Sequence, residues 1–446
     1  MKTMAKPENR PQTTPAWAQK VTLAVIGLAL PNGIAVAGSS FEEDPINYLT
    51  APANDPVARL QKRIDRGDVE FDHDGRHGYL PAVLEAMNVP QSAQVMVFSK
   101  TSFQRDNITP ATPRAIYFSD DVYVGWVQGG DVVEVSAVEP QLGAIFYSLD
   151  QRKVDKPAFL RQNDQCLQCH ASALTRGIPG HVVRSVFPNR DGLPLLQSGT
   201  HRTNHTSPLK ERWGGWYVTG THGKQRHMGN VFVEDKADPT KLDLEAGANV
   251  TDLSGKFDVS PYLVPHSDIV ALMVLEHQVE MHNLFTHANY STRTALRDQA
   301  VIDNMVEEPQ EGLRPSTKAR IKSAGEKLVE YLLYAEEEPL TEPINGTSGF
   351  AEEFAKRGPR DPQGRSLRDL DMTTRMFKYP CSYLIYSEAF DNLPDEMKKY
   401  VYGRLWEILN GLDESDDYDH LTRGDRREIR EILIATKTDL PDYWKA

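Results

Sequence analysis

The sequence predicts an α+β protein: a β-rich central region, preceded by short helices and followed by a mostly helical C-terminal region. Three observations predict it. Apolar residues fall at helical spacing before residue 90. Short β-branched and aromatic runs recur between residues 94 and 235. From Pro265 onward the periodicity is helical again. The segments so defined are residues 1–37, 38–90, 91–260 and 261–446. Of the 446 residues 39% are hydrophobic, enough to bury more than one core.

Taken in order, the first segment has Lys2, Lys6, Arg10 and Lys20 before an apolar run from Val21 to Leu30, then small residues at Ala35-Val36-Ala37. That is the pattern of a cleavable export signal, with no twin arginine. The alternative is an uncleaved anchor, but Pro31-Asn32-Gly33 interrupts a run short of the ~20 residues a span needs. Export to the periplasm with cleavage after Ala37 is expected, and no later segment reaches span length. In the second segment Val57, Leu60 and Ile64 mark one helix, and Leu80, Val83, Leu84 and Met87 another.

The third segment holds strand-like runs at Val95–Phe98, Ala115–Phe118, Val122–Trp126, Val132–Val135 and Ala144–Tyr147, with Gly129-Gly130-Asp131 as a hairpin turn. Val182-Val183, Trp216 to Thr219 and Asn230 to Val233 read as further strands. In the fourth, helices are expected over residues 267–289, 316–334 and 395–412. No internal repeat is present. The acidic run from Asp413 to Asp419 lacks the central Gly and spacing of a calcium loop; it reads as a solvated loop, with calcium the alternative.

The chain carries a formal charge of −13, and its first 37 residues have four cations against Glu8, so the remainder stands near −16. Such an acidic chain argues against nucleic acid, whose phosphates demand cationic contacts. It suits a basic redox partner protein or simply a solvated surface.

The sharpest local signal is Cys166-Leu167-Gln168-Cys169-His170. Two thiols separated by two residues, with a histidine directly after the second, can add to the two vinyl groups of one porphyrin and place an imidazole under its iron. A zinc half-site is the competing reading, but a closed zinc site needs further Cys or His at short spacing, and the third cysteine is the distant Cys381. That cysteine, in the apolar stretch from Tyr379 to Tyr386, reads as a buried inert thiol; a reactive thiol or iron ligand is the alternative.

Two further clusters supply candidates for the other side of such an iron. His201, His205, His222, His227 and Met228 lie among glycines and tryptophans. Met228 or His227 is the candidate sixth ligand and His222 a third choice; a polar loop cluster at a sheet rim explains the same residues. On the helix at 267–289, His277 and Met281 share one face and Glu276 and Glu280 another. His277 is a candidate distal base, or else a satisfied core histidine beside solvated glutamates. Arg176, Arg184, Arg190 and Arg202 are candidates to pair with carboxylates of the cofactor.

The motif at Cys166–His170 resembles that of monohaem c-type cytochromes; the resemblance covers these five residues and the export signal. It implies one covalent haem c on Cys166 and Cys169, with His170 as proximal iron ligand. Arg212 to Gly223 (RWGGWYVTGTHG) and Lys378 to Phe390 (KYPCSYLIYSEAF) resemble large bacterial haem proteins, a likeness that carries no activity. Chain size, strand content and motif position depart from the small-cytochrome pattern, so that fold is not carried over. Electron transfer is the expected function. The alternative is a haem-dependent oxidoreductase for peroxide, a nitrogen oxide or an organic substrate, with His222, His227 or His277 moving protons. A haem-based sensor fits the same residues but lacks an output module.

Overall fold

Alternating side chains along seven short strands divide most of the buried interior into two main cores. The computed structural model describes residues 41–235, 237–413 and 415–445. The export segment read over residues 1–37 lies outside them. The strands are β1 (Val95–Val97), β2 (Arg114–Phe118), β3 (Val122–Trp126), β4 (Val132–Glu139), β5 (Gly143–Asp150) and β6 (Phe159–Arg161), with β9 (Trp216–Tyr217) at the far edge. Their order is β6-β5-β4-β3-β2-β1-β9, antiparallel throughout, and β7 (Arg184–Val186) pairs with β8 (Thr200–Arg202) in a separate hairpin.

Facing residues in the register share one side of a sheet. Tyr123 opposes Ser136, and Ser136 opposes Phe146. On the side of Tyr123, Val95, Val97, Phe118 and Val138 enter the core shared with the C-terminal helices. On the other, Ala115, Tyr117, Val124, Val135, Ile145 and Tyr147 pack with Val57, Leu60, Leu80, Val83 and Leu84. The sheet is therefore covered by N-terminal helices on one face and C-terminal helices on the other, and the protein is α+β.

The N-terminal cover is α1 (Pro56–Arg66) and α2 (Leu80–Ala86). Asp55 caps α1 by accepting from the amides of Val57 and Ala58, Pro56 opens the first turn, and Gly67 closes the last in the left-handed conformation. The second carboxylate oxygen of Asp55 accepts from Tyr147 Oη at 2.6 Å, tying the cap to β5.

A short α3 (Asp164–His170) follows β6 and carries the cysteine motif; α4 (Ile269–Asp303), 35 residues long, packs on the Tyr123 side of the sheet. Asp268 caps α4 with one oxygen and takes the Thr347 and Ser348 amides with the other, at 2.7 and 2.9 Å. From Ile269 to Thr286 every residue of α4 is buried, so the helix is surrounded rather than amphipathic. Around it stand α5 (Pro315–Leu332), α6 (Phe350–Lys356), α7 (Glu388–Asp391), α8 (Asp395–Leu409) and α9 (Arg423–Thr436). Among the described residues no helix is long and apolar enough to cross a membrane.

Two strand expectations change. Val182-Val183 precedes a strand rather than forming one. Asn230 to Val233 is irregular, because Asn230 adopts a positive φ of 68° and its carboxamide takes the place of a strand partner. Its Oδ1 accepts from the Val218 amide at 2.8 Å, and its Nδ2 donates to the carbonyls of Val218 and Gly247.

Candidate functional site

On α3 the two cysteines and the histidine stand at i, i+3 and i+4, spacings that share one helix face. Leu167 and Ala171 pack against the second core, which fixes the helix to the body. Neither thiol is bonded: Cys166 is half-buried and Cys169 exposed. Burial pushes the Cys166 thiol up to about 11. Among the described residues no three His, Cys, Asp or Glu side chains are arranged to hold a metal ion, so the cysteine pair finds no further zinc ligands.

His170 is oriented by its own chain. Its Nδ1 lies 2.9 Å from the Gly180 carbonyl oxygen, and the Gly180 amide donates back to the His170 carbonyl at 2.8 Å. A carbonyl only accepts, so Nδ1 carries the proton and Nε2 keeps the lone pair. Burial lowers the His170 pKa, favouring the neutral imidazole, the form that ligates a metal. Among the described residues Nε2 has no hydrogen-bond partner. The Phe146 ring packs against this imidazole at 4.7 Å between centroids.

The sequence reading missed His181. It is 7% exposed, its ring 6.5 Å from that of His170 and 4.3 Å from that of Tyr123. Its Nε2 meets the Ser136 hydroxyl, and its Nδ1 is buried without a partner. His181 directly follows Gly180, whose carbonyl faces Nδ1 of His170. Gly177-Ile178-Pro179-Gly180-His181 was the available signal: a Gly-Pro turn shortly after the motif. Beyond His181, Tyr123 Oη sits 2.9 Å from His282 Nδ1 and accepts from Gln278 Nε2 at 3.0 Å.

The structure brings the other candidates together elsewhere. The rings of His222 and His227 are 4.6 Å apart. Both His222 nitrogens are engaged, Nδ1 with the Gln225 carbonyl at 2.7 Å and Nε2 with the Asn249 amide at 2.9 Å. His227 accepts from the Gly229 amide and is lowered by burial to about 3. Met228 packs with Phe187 and Val233, its sulfur 3.6 Å from Ser185 Oγ. None of these makes a ring contact or hydrogen bond with His170; its aromatic neighbours are Phe146 and His181.

His277 belongs to a third group. It stacks with Tyr334 at 4.5 Å and bonds His205 Nδ1 and Ser382 Oγ, each at 2.8 Å. That is the satisfied core histidine, and burial lowers it to about 3. Glu276 and Glu280 are buried, not solvated, and each has a cationic partner. Arg212 meets Glu276 at 3.2 Å; Arg176 and Arg202 converge on Glu280 at 2.6 and 3.2 Å. Arg190 pairs with Glu234. The guanidinium felt by both Cys166 and His170 is instead Arg114, paired with Glu134 at 2.5 Å.

No family model, no curated protein and no solved structure matches the chain.

Proposed function

We propose that this is a periplasmic monohaem c-type protein that transfers electrons. The observation that carries the reading is His170: its Nδ1 proton is given to Gly180 O at 2.9 Å, leaving the Nε2 lone pair one helical turn from Cys166 and next to Cys169. The residues fit a covalent haem. Cys166 and Cys169 are unpaired thiols that would form the two thioethers, and His170 would be the proximal ligand. Haem bound there supplies one-electron redox chemistry. The protein's part is to hold the His170 ring through Gly180 and to pack Phe146 and His181 beside it.

A second reading, a haem-dependent oxidoreductase, is favoured by the placement of the sixth-ligand candidates. Both His222 nitrogens are occupied, by the Gln225 carbonyl and the Asn249 amide, and Met228 lies in a small apolar cluster. The optical spectrum of the purified exported protein tests both, oxidised, reduced with dithionite, and reduced under carbon monoxide. Sharp low-spin bands indifferent to carbon monoxide support electron transfer. Ready carbon monoxide binding overturns it in favour of the oxidoreductase, and no haem absorption at all overturns both.

A further inference from the structure

Four hydrogen bonds link His170 to the long helix α4 by way of Gly180 and His181, and two of them are made by one side chain of α4. Asn283, 1% exposed in the buried half of α4, holds both main-chain groups of His181. Its Oδ1 accepts from the His181 amide at 3.0 Å, and its Nδ2 donates to the His181 carbonyl at 2.8 Å. The preceding residue, Gly180, makes the reciprocal pair with His170. The two chains approach so closely that a Cβ on Gly180 would stand 2.2 Å from Asn283 Oδ1 and 3.3 Å from the Thr175 Cβ. A carboxamide carries an acceptor oxygen and a donor NH2 on separate atoms, so it can accept from an amide N–H and donate to the carbonyl of the same residue at once. Here it holds the segment that holds the ring.

We propose that Asn283 is a positioning residue for His170. It holds the Gly180–His181 segment so that the Gly180 carbonyl keeps the Nδ1 proton and Nε2 stays directed at the cofactor. This rests on the haem reading above. An Nδ1–H bond to a carbonyl makes the imidazole a stronger donor, which favours ferric over ferrous iron. Loosening the segment therefore raises the reduction potential while the thioethers remain.

The test uses the exported holoprotein and the variants Asn283→Asp, Asn283→Ala, Gly180→Ala and the double variant Gly180→Ala/Asn283→Ala. Covalent haem is first verified on a denaturing gel; then reduction potentials and thermal midpoints are measured. Asn283→Asp keeps the acceptor and loses the donor, so it is expected to raise the potential less than Asn283→Ala. Gly180→Ala acts on the same contact from the other side, so the double variant is expected to shift the potential by less than the sum of the single shifts. Absence of covalent haem from the native chain overturns the haem reading. Covalent haem with an unchanged potential in Asn283→Asp and Gly180→Ala overturns the positioning role alone, even if their thermal midpoints fall. Additive shifts overturn it as well.

Discussion

Replacing Arg212 with Met is expected to produce a stability deficit that grows with pH. Arg212 and Glu276 are buried together, with side chains 2% and 0% exposed and 3.2 Å between charged atoms. The guanidinium also donates to the Ser207 carbonyl at 2.9 and 2.6 Å and to the His205 carbonyl at 3.0 Å. Desolvation raises the Glu276 carboxyl to about 7, and the Arg212 charge is the largest influence opposing that rise. A carboxyl whose folded pKa exceeds its unfolded value binds its proton more tightly in the native state. Its contribution is fully present below the unfolded value and is lost as pH rises through the folded one.

Without Arg212 the folded value climbs further, so the variant keeps losing stability at pH values where the native chain has levelled off. At pH 5 Glu276 is protonated in both proteins, and the deficit is that of the Ser207 carbonyl left without a donor and the His205 carbonyl left with the Glu338 amide alone, about 1–3 kcal/mol. At pH 8 the carboxyl stands unpaired or must take a proton, and the deficit rises to about 3–5 kcal/mol, as for other broken buried pairs. Urea unfolding followed by far-ultraviolet circular dichroism at both pH values measures it. Adding Glu276→Gln to the variant should abolish the pH dependence. A deficit equal at the two pH values, or below about 1 kcal/mol at pH 8, would refute the reasoning.

Three other outcomes are expected. Cys381 is fully buried, with its thiol pushed up to about 12. Iodoacetamide should therefore modify the motif cysteines of haem-free protein and reach Cys381 only in urea; labelling of Cys381 in the native fold would contradict this. Gly143 has φ 75°, and a Cβ there would stand 2.5 Å from Thr286 Cγ2 and 2.8 Å from the Pro179 carbonyl. Gly143→Ala is thus expected to lower stability by about 1–3 kcal/mol, and an unchanged urea midpoint would show the contact to be soft. Met228→Leu, in its cluster with Phe187 and Val233, should leave the near-infrared spectrum of the holoprotein unchanged, whereas loss of a sulfur-to-iron band would place Met228 at the iron.

The sheet was legible where both sides of a strand are buried. Val122–Trp126 and Ala144–Tyr147 are continuous apolar runs, and they are strands β3 and β5. Phe159–Arg161 was not read as a strand, because an edge position needs only three residues and leaves Leu160 60% exposed. The helix expected to end at residue 289 continues to Asp303 because its later turns are polar, and polar turns carry no periodic apolar signal. In the proposed site, Cys166, Cys169 and His170 were singled out because the chemistry proposed for them depends on local spacing. His181 and Asn283 were not assigned, since their roles come from a main-chain contact between segments distant in sequence. Asp268 and Asn283 also show how α4 positions its surroundings, with side chains that bind main-chain groups of other segments. Such bonds leave no pattern in the sequence of the helix itself.

The central claim is covalent haem at Cys166 and Cys169. Its most direct test is haem retention by the exported full chain through a denaturing gel, read by haem-peroxidase stain and by the alkaline pyridine spectrum. The native chain and Cys381→Ser are expected to retain haem, Cys169→Ala to show the spectrum of a single thioether, and Cys166→Ala/Cys169→Ala to lose the stain. A native chain without stain, or a double variant that stains like it, would contradict the assignment.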